Sequence, residues 1–182
     1  MLTPSELEPQ LDEALSVDPT LFRKVMGSFA SGVTVITVRT GSEVRGMTAS
    51  AFMSGSLQPP LCVVSVARAA RVHAFLEEAR QFGVSILARG QEGLSRHFGG
   101  RPDRDRQPLF EHVGGTPMLL GAVASIAADI AARHDCGDHS IFVGRVTVLR
   151  ANDNTPLIVH SGRYASLIDT GEKVPDPIVD FW

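Results

Sequence analysis

Residues 33–38 read VTVITV, β-branched at every position. Such side chains suit an extended backbone and pack well across a pleated sheet. The turn RTGSE sends the chain back into a second strand from Val44. Further runs of strand length follow: LCVVSVA (61–67), FGVSILA (82–88), SIFVGRVTVL (140–149) and PLIVH (156–160). This succession of short apolar runs limits the possible folds more than any other feature.

Helical patterns are fewer. In TLFRKVMGSFASG, Phe22, Val25, Met26 and Phe29 fall at i, i+3, i+4 and i+7, with Thr20 as the expected N-cap and Gly32 as the stop. RVHAFLEEA (71–79) and QEGLSRHF (91–98) read as short helices, the second with Leu94 and Phe98 on one face. GMTASAFMSGSLQPP (46–60) starts extended and then reads as a loop, and GGRPDRDRQP (99–108) as a charged surface loop. AVASIAADIAAR (122–133) is open: its alanines favour helix, while its length and the preceding Gly121 allow a strand. Six or seven strands without a helix after each fit a doubly wound parallel sheet poorly. They predict a mainly β fold with short helices, a largely antiparallel barrel.

A chain of 182 residues holds one well-buried core. Residues 1–19, polar and Pro-punctuated, are expected to form a mobile arm, residues 20–168 the domain, and residues 169–182 a tail. A net charge of −3 with no cluster of Lys or Arg argues against nucleic acid as a partner. No apolar stretch reaches membrane-spanning length, and the acidic start has no signal-peptide pattern. Cys62 and Cys136 form no CxxC, so a reducing compartment, the cytoplasm, is expected.

The usual nucleotide and hydrolase fingerprints are absent: no G-x-G-x-x-G after a strand, no phosphate loop, no G-x-S-x-G, no H-E-x-x-H. Chemistry-bearing residues crowd instead into HDCGDH, where His134, Asp135, Cys136, Asp138 and His139 fall within six positions. Zinc ligands usually come in pairs two to four residues apart from two places in the chain, and this spacing does not match. No metal is expected, and a Cys–His nucleophile pair has no supporting local signature. Small hydroxyls (Thr48, Ser50, Ser54, Ser56) at a strand-to-loop edge can hold the polar edge of a heterocycle or a phosphate, or simply form a polar loop. Ser65 ends one strand, Arg68 and Arg71 precede a helix, and Ser95 and Arg96 lie in another, arrangements suited to an anion or to plain solvation.

Taken together, the segments FRKVMGSFASGVTVIT, GMTASAFMSGSLQPPLCVVSV, FGVSILARGQEGLSRHF, GTPMLLGAVA, GDHSIFVGRV and PLIVHSGRYASL resemble the flavin reductase family. They are the small reductase components of two-component flavin-dependent monooxygenases, and the resemblance spans residues 21–167. It implies an FMN-binding split β-barrel, Greek-key-like and antiparallel, usually homodimeric, and it makes residues 122–133 a strand. It implies hydride transfer from NADH or NADPH to FMN or FAD, with reduced flavin passed to a partner monooxygenase.

By position, Thr48, Ala49 and Ser50 would meet the isoalloxazine edge, and Ser65, Val66 and Ala67 the ribityl chain. Arg71 and the LSRHF turn, with Ser95 and Phe98, would lie near the phosphate, and Phe82, Val84 and Ser85 would complete the wall. His139 would position the nicotinamide, with Tyr164 at the same mouth. The sequence reads TASAF where the family often has TANSF, so Ser50 stands in place of an asparagine and Ala51 of a serine. Gln58, Ser85 and His160 depart similarly, leaving FMN or FAD preference open. A split-barrel carrier of flavin or haem, and a metal-dependent hydrolase built on the HDCGDH cluster, are the alternatives.

Overall fold

The computed structural model describes residues 17–103, 105, 107–168 and 170–171. Nearly all of the expected N-terminal arm and C-terminal tail lies outside them. The elements in order are α1 (Pro19–Gly27), β1 (Ser31–Gly32), β2 (Thr34–Thr40), β3 (Glu43–Ala49), β4 (Phe52–Leu57) and β5 (Pro60–Ala67). Then come α2 (His73–Glu78), β6 (Gln81–Ile86), α3 (Glu92–Phe98), β7 (Phe110–Val113) and β8 (Thr116–Leu119). The last described elements are β9 (Ala124–Cys136), β10 (His139–Ala151), β11 (Ile158–His160) and β12 (Arg163–Ala165).

Seven strands form one antiparallel sheet in the order β3-β2-β6-β9-β10-β5-β4. Its two edge strands, β3 and β4, are consecutive in the chain, separated only by Ser50 and Ala51. The Ser65 amide donates to the Ala51 carbonyl at 3.1 Å, so this corner lies against β5 and curls the sheet into a barrel. A β7–β8 hairpin and a small β1-β11-β12 sheet pack outside.

Strand alternation divides the side chains between two clusters. Ile36, Val38, Val64, Val66, Phe82, Val84, Ile126, Ala128 and Phe142 fill the barrel, closed at one end by Val72 and Leu76 around α2. On the outer face Val33, Val35, Leu87, Leu119 and Leu157 pack with Leu94 and Phe98 of α3. The middle of β2, from Thr34 to Val38, is therefore buried on both faces, as its unbroken β-branched run anticipates. Inside, a side chain at Gly144 would put its Cβ 2.6 Å from Phe82 Cζ, so the Phe82 ring fills the barrel only because that position is bare. Burial pushes the Cys62 thiol up to about 11, which makes it an inert core residue.

Four sequence expectations change. SGSL belongs to strand β4, not a loop: its small residues have weak strand preference, but pairing with β5 decides the matter, with a bulge between Ser54 and Ser56. Residues 124–136, by contrast, form the strand that the family resemblance implied, despite their alanines, because β6 and β10 pair with them from both sides. The cap of α1 is Asp18, not Thr20: its carboxylate accepts from the Thr20 and Leu21 amides at 3.0 and 3.3 Å. That helix ends at Gly27, well before Gly32, where the Ser28 hydroxyl donates to the Val25 carbonyl. Among the described residues there are twelve strands where six or seven were expected, the additions being β4 and pieces of four residues or fewer.

Candidate functional site

A cavity of about 400 Å³ opens outside the barrel beside the β3–β4 corner. It is lined by Val33, Thr48, Ser50, Ser95, Arg96, Arg101, Val159, Gly162 and Tyr164. Each wall is held by a specific contact. Helix α3 lies over β3 where Gly46 has no side chain; a Cβ there would be 3.1 Å from the Phe98 ring. Gln91 fixes the start of α3, accepting from the Ala88 amide and donating to the Leu120 carbonyl, each at 2.9 Å.

Ser95 links the walls. Its carbonyl accepts from the Thr48 hydroxyl at 2.7 Å, and its side-chain oxygen accepts from the Tyr164 hydroxyl at 3.0 Å. The Ser95 hydroxyl hydrogen thus remains available to a ligand. Tyr164 arrives on the β11–β12 hairpin, whose turn places both Ser161 (φ 48) and Gly162 (φ 73) in the left-handed region. The Arg96 guanidinium sits 5.9 Å from the centre of the Tyr164 ring. Among the described residues, two arginines, three small hydroxyls and no carboxylate line the cavity, a donor set suited to a phosphorylated ligand with a polar heterocycle.

The surface continues from the corner towards His139. Ser50 leads to Ala51, whose carbonyl meets the Ser65 amide, and two residues on, Ala67 pairs with His139 across β5 and β10. Ser65, Ala67 and His139 share the outer face, alternating with the buried Val64, Val66 and Ser140. The His139 Nδ1–H donates to the Asp138 carboxylate at 2.7 Å, which leaves Nε2 facing outward. That hydrogen bond, and then the imidazole charge, hold the Asp138 carboxyl below its usual range.

Of the residues assigned by resemblance, the structure brings Thr48, Ser50, Ser95 and Tyr164 together in the cavity and sets Ser65, Ala67 and His139 along its extension. Arg71 is exposed just before α2 and does not line the cavity. Ala49, Val66, Phe82 and Val84 point into the barrel core, so only their backbone could reach a ligand. Ser85 faces outward but is buried under β8, its hydroxyl accepting from the Leu119 amide at 2.9 Å. Phe98 packs between Gly46 and Phe110.

Arg101, Val33, Val159 and Gly162 went unassigned by sequence. The signal for Gly162 was the SGR turn, whereas the Arg101 loop carried none beyond its charge. Around the HDCGDH cluster, Asp135 pairs with Arg68 at 2.8 Å. Among the described residues no group of three or more His, Cys, Asp or Glu converges as a metal site requires.

Residues 26–167 match the family model described as a flavin reductase like domain. The chain is similar to an NADH-dependent flavin reductase of a Rhodococcus species, 41% identical over 179 residues, which cover 95% of this chain and 97% of that protein. It is also similar to the reductase component of 4-hydroxyphenylacetate 3-monooxygenase of Thermus thermophilus, 41% identical over 142 residues, 78% of this chain and 91% of that one. Among solved structures, the flavin reductase PheA2 superposes with a TM-score of 0.81 at 39% identity, covering 84% of this chain and 99% of that one. The Streptomyces globisporus NADH:FAD oxidoreductase SgcE6, in complex with NAD and FAD fragments, gives 0.77 at 36%, covering 87% and 100%.

Proposed function

Because this chain belongs to the flavin reductase family, we propose that it is an NAD(P)H:flavin oxidoreductase that reduces FMN or FAD and supplies the reduced flavin to a partner monooxygenase. The observation that carries the reading is the cavity itself. Its donor set of hydroxyls and arginines fits a flavin's polar ring edge and phosphate, and among the described residues it contains no opposing carboxylate. When bound, the flavin contributes the ring that accepts hydride from a nicotinamide, so the protein needs no acid–base dyad of its own.

The chain's residues bind and orient. Thr48 and Ser50 offer hydroxyls at the β3–β4 corner, and Ser95, Arg96 and Arg101 would hold a flavin phosphate. Ser65 and Ala67 form the floor between the cavity and His139, with the backbone of Ala49 and Val66 alongside. His139, held through Nδ1 by Asp138, presents Nε2 to the dinucleotide. Orientation of this kind matters because transfer requires the reacting atoms within about 3–3.5 Å.

The protein acts as a homodimer. Leu21, Phe22, Val25 and Met26 of α1, with Phe29 just beyond its end, form an apolar surface that is 54–79% exposed. A stripe of this size needs a partner. The α1 terminus is tied to the hairpin that lines the cavity by the Ser161 amide, which donates to the Gly27 carbonyl at 2.7 Å. A second copy covering α1 would therefore border the site. No helix among the described residues is long and apolar enough to cross a membrane. The two unpaired cysteines suit a cytoplasmic location.

The test is anaerobic oxidation of NADH and of NADPH with FMN, FAD or riboflavin added in turn, followed at the flavin absorbance. Loss of flavin colour with stoichiometric oxidation of the dinucleotide is expected. Tight flavin retention without any oxidation would mark a carrier instead. In the same assay His139→Ala is expected to raise the KM for the dinucleotide well above any change in flavin affinity, and an unchanged KM would remove His139 from that role.

A further inference from the structure

The β9–β10 hairpin has arms of thirteen residues each and turns at Gly137 (φ 58) and Asp138, immediately before His139. The tip of a long hairpin is its least restrained part. Here three contacts tie it to the connection between β5 and α2. The Arg68 amide donates to the Asp138 carbonyl at 3.0 Å, and the Arg68 guanidinium pairs with Asp135 at 2.8 Å. The third contact is between His73 Nε2 and Ser140 Oγ, 2.8 Å apart.

The first two lie at the surface, where water competes for the hydrogen bond and the ion pair holds weakly. The third is sheltered: Ser140 is 3% exposed, and the His73 side chain 14%. His73 is itself braced. Its ring meets Phe142 edge-on at 5.8 Å, and Glu77 lies 3.5 Å from the same nitrogen, one helical turn on. Arg133 in turn lies 3.7 Å from Glu77 and donates to the Ala79 carbonyl at 2.7 Å, clamping α2 to β9.

Ser140 and His139 are consecutive in β10 and point to opposite faces. A roll of the strand at Ser140 must therefore swing His139 on the other side. We propose that His73 is a positioning residue for His139, setting through Ser140 the angle at which that imidazole meets the dinucleotide. The inference rests on the role of His139 given above and extends it to a residue outside the cavity.

Two substitutions separate the ring from its nitrogen. His73→Phe keeps a ring against Phe142 and removes the bond to Ser140, while His73→Gln keeps a nitrogen and removes the ring. For His73→Phe the KM for NADH should rise up to about ten-fold, the worth of one ordinary hydrogen bond. The flavin dissociation constant, read by fluorescence quenching, should stay within two-fold, and His73→Gln should restore much of the NADH affinity. Adding His73→Phe to His139→Ala should cost nothing further, since both act through one group.

An unchanged KM in His73→Phe, with His139→Ala raising it, overturns the positioning role alone. Equal impairment of His73→Phe and His73→Gln with a lower melting temperature overturns it in favour of plain packing. A normal KM in His139→Ala is the separate result that removes the reading on which the inference stands.

Discussion

Tyr164 and Ser95 come from distant parts of the chain, and the 3.0 Å bond between their hydroxyls closes one wall of the cavity proposed to hold the flavin. Tyr164→Phe removes that donor while keeping the ring under Arg96. Flavin binding should weaken about three- to ten-fold, the worth of one ordinary hydrogen bond, as measured by titration of flavin fluorescence. At the turn, Asp138 offers a pH test. Its carboxyl is held below the ordinary value by His139, so the folded chain binds its proton less readily than the unfolded one. The stability gained from this pair is complete above the ordinary carboxylate value and is lost as pH falls through the lowered one. Wild type and Asp138→Asn should therefore differ in melting temperature near neutrality, slightly because the pair is exposed, and converge in acid. At this scale the hydroxyls Thr48, Ser50 and Ser95 were legible in sequence. Ala49, Val66, Phe82 and Val84 were expected around the same flavin, at its ring edge, ribityl chain and wall, but strand alternation sends their side chains to the core.

Among the elements, β9 and β10 show how pairing overrules local preference. The alanines of β9 are helix formers, yet Ala127 and Ala128 are buried in a strand. Small residues are what the crowded barrel requires there: a Cβ on Gly144 would come 2.8 Å from that of Ala128 and 2.6 Å from the Phe82 ring. Gly144→Val should therefore cost about 1–3 kcal/mol by overpacking. The cost should appear as a lower urea midpoint with an unchanged slope. β4 was hidden for the opposite reason. An edge strand of small and polar residues has no periodicity to announce it, and it exists through its ladder with β5. α1 was visible at once from its spacing, but spacing does not say what its apolar face meets.

For the whole molecule, that face is the main consequence. With Phe29 79% exposed, a lone copy would leave a large apolar stripe in water, and association would remove it. If the folded chain is stabilised by pairing, its melting temperature must rise with protein concentration. Phe29→Asp should abolish that dependence and shift the sedimenting species to the monomer.

The succession of short β-branched runs determined the mainly β class without help from any contact, because extended backbone and branched side chains favour each other locally. Segments such as GDH and SGRY announced turns for a similar reason, while the roles expected of His139 and Tyr164 came only from the family resemblance. Barrel closure at Ser50 and Ala51, the alternation that sorts site from core, and the meeting of Ser95 with Tyr164 were decided only by tertiary structure. Each depends on residues far apart in sequence that become neighbours through strand register, and register is a property of pairs of strands, carried by neither one alone.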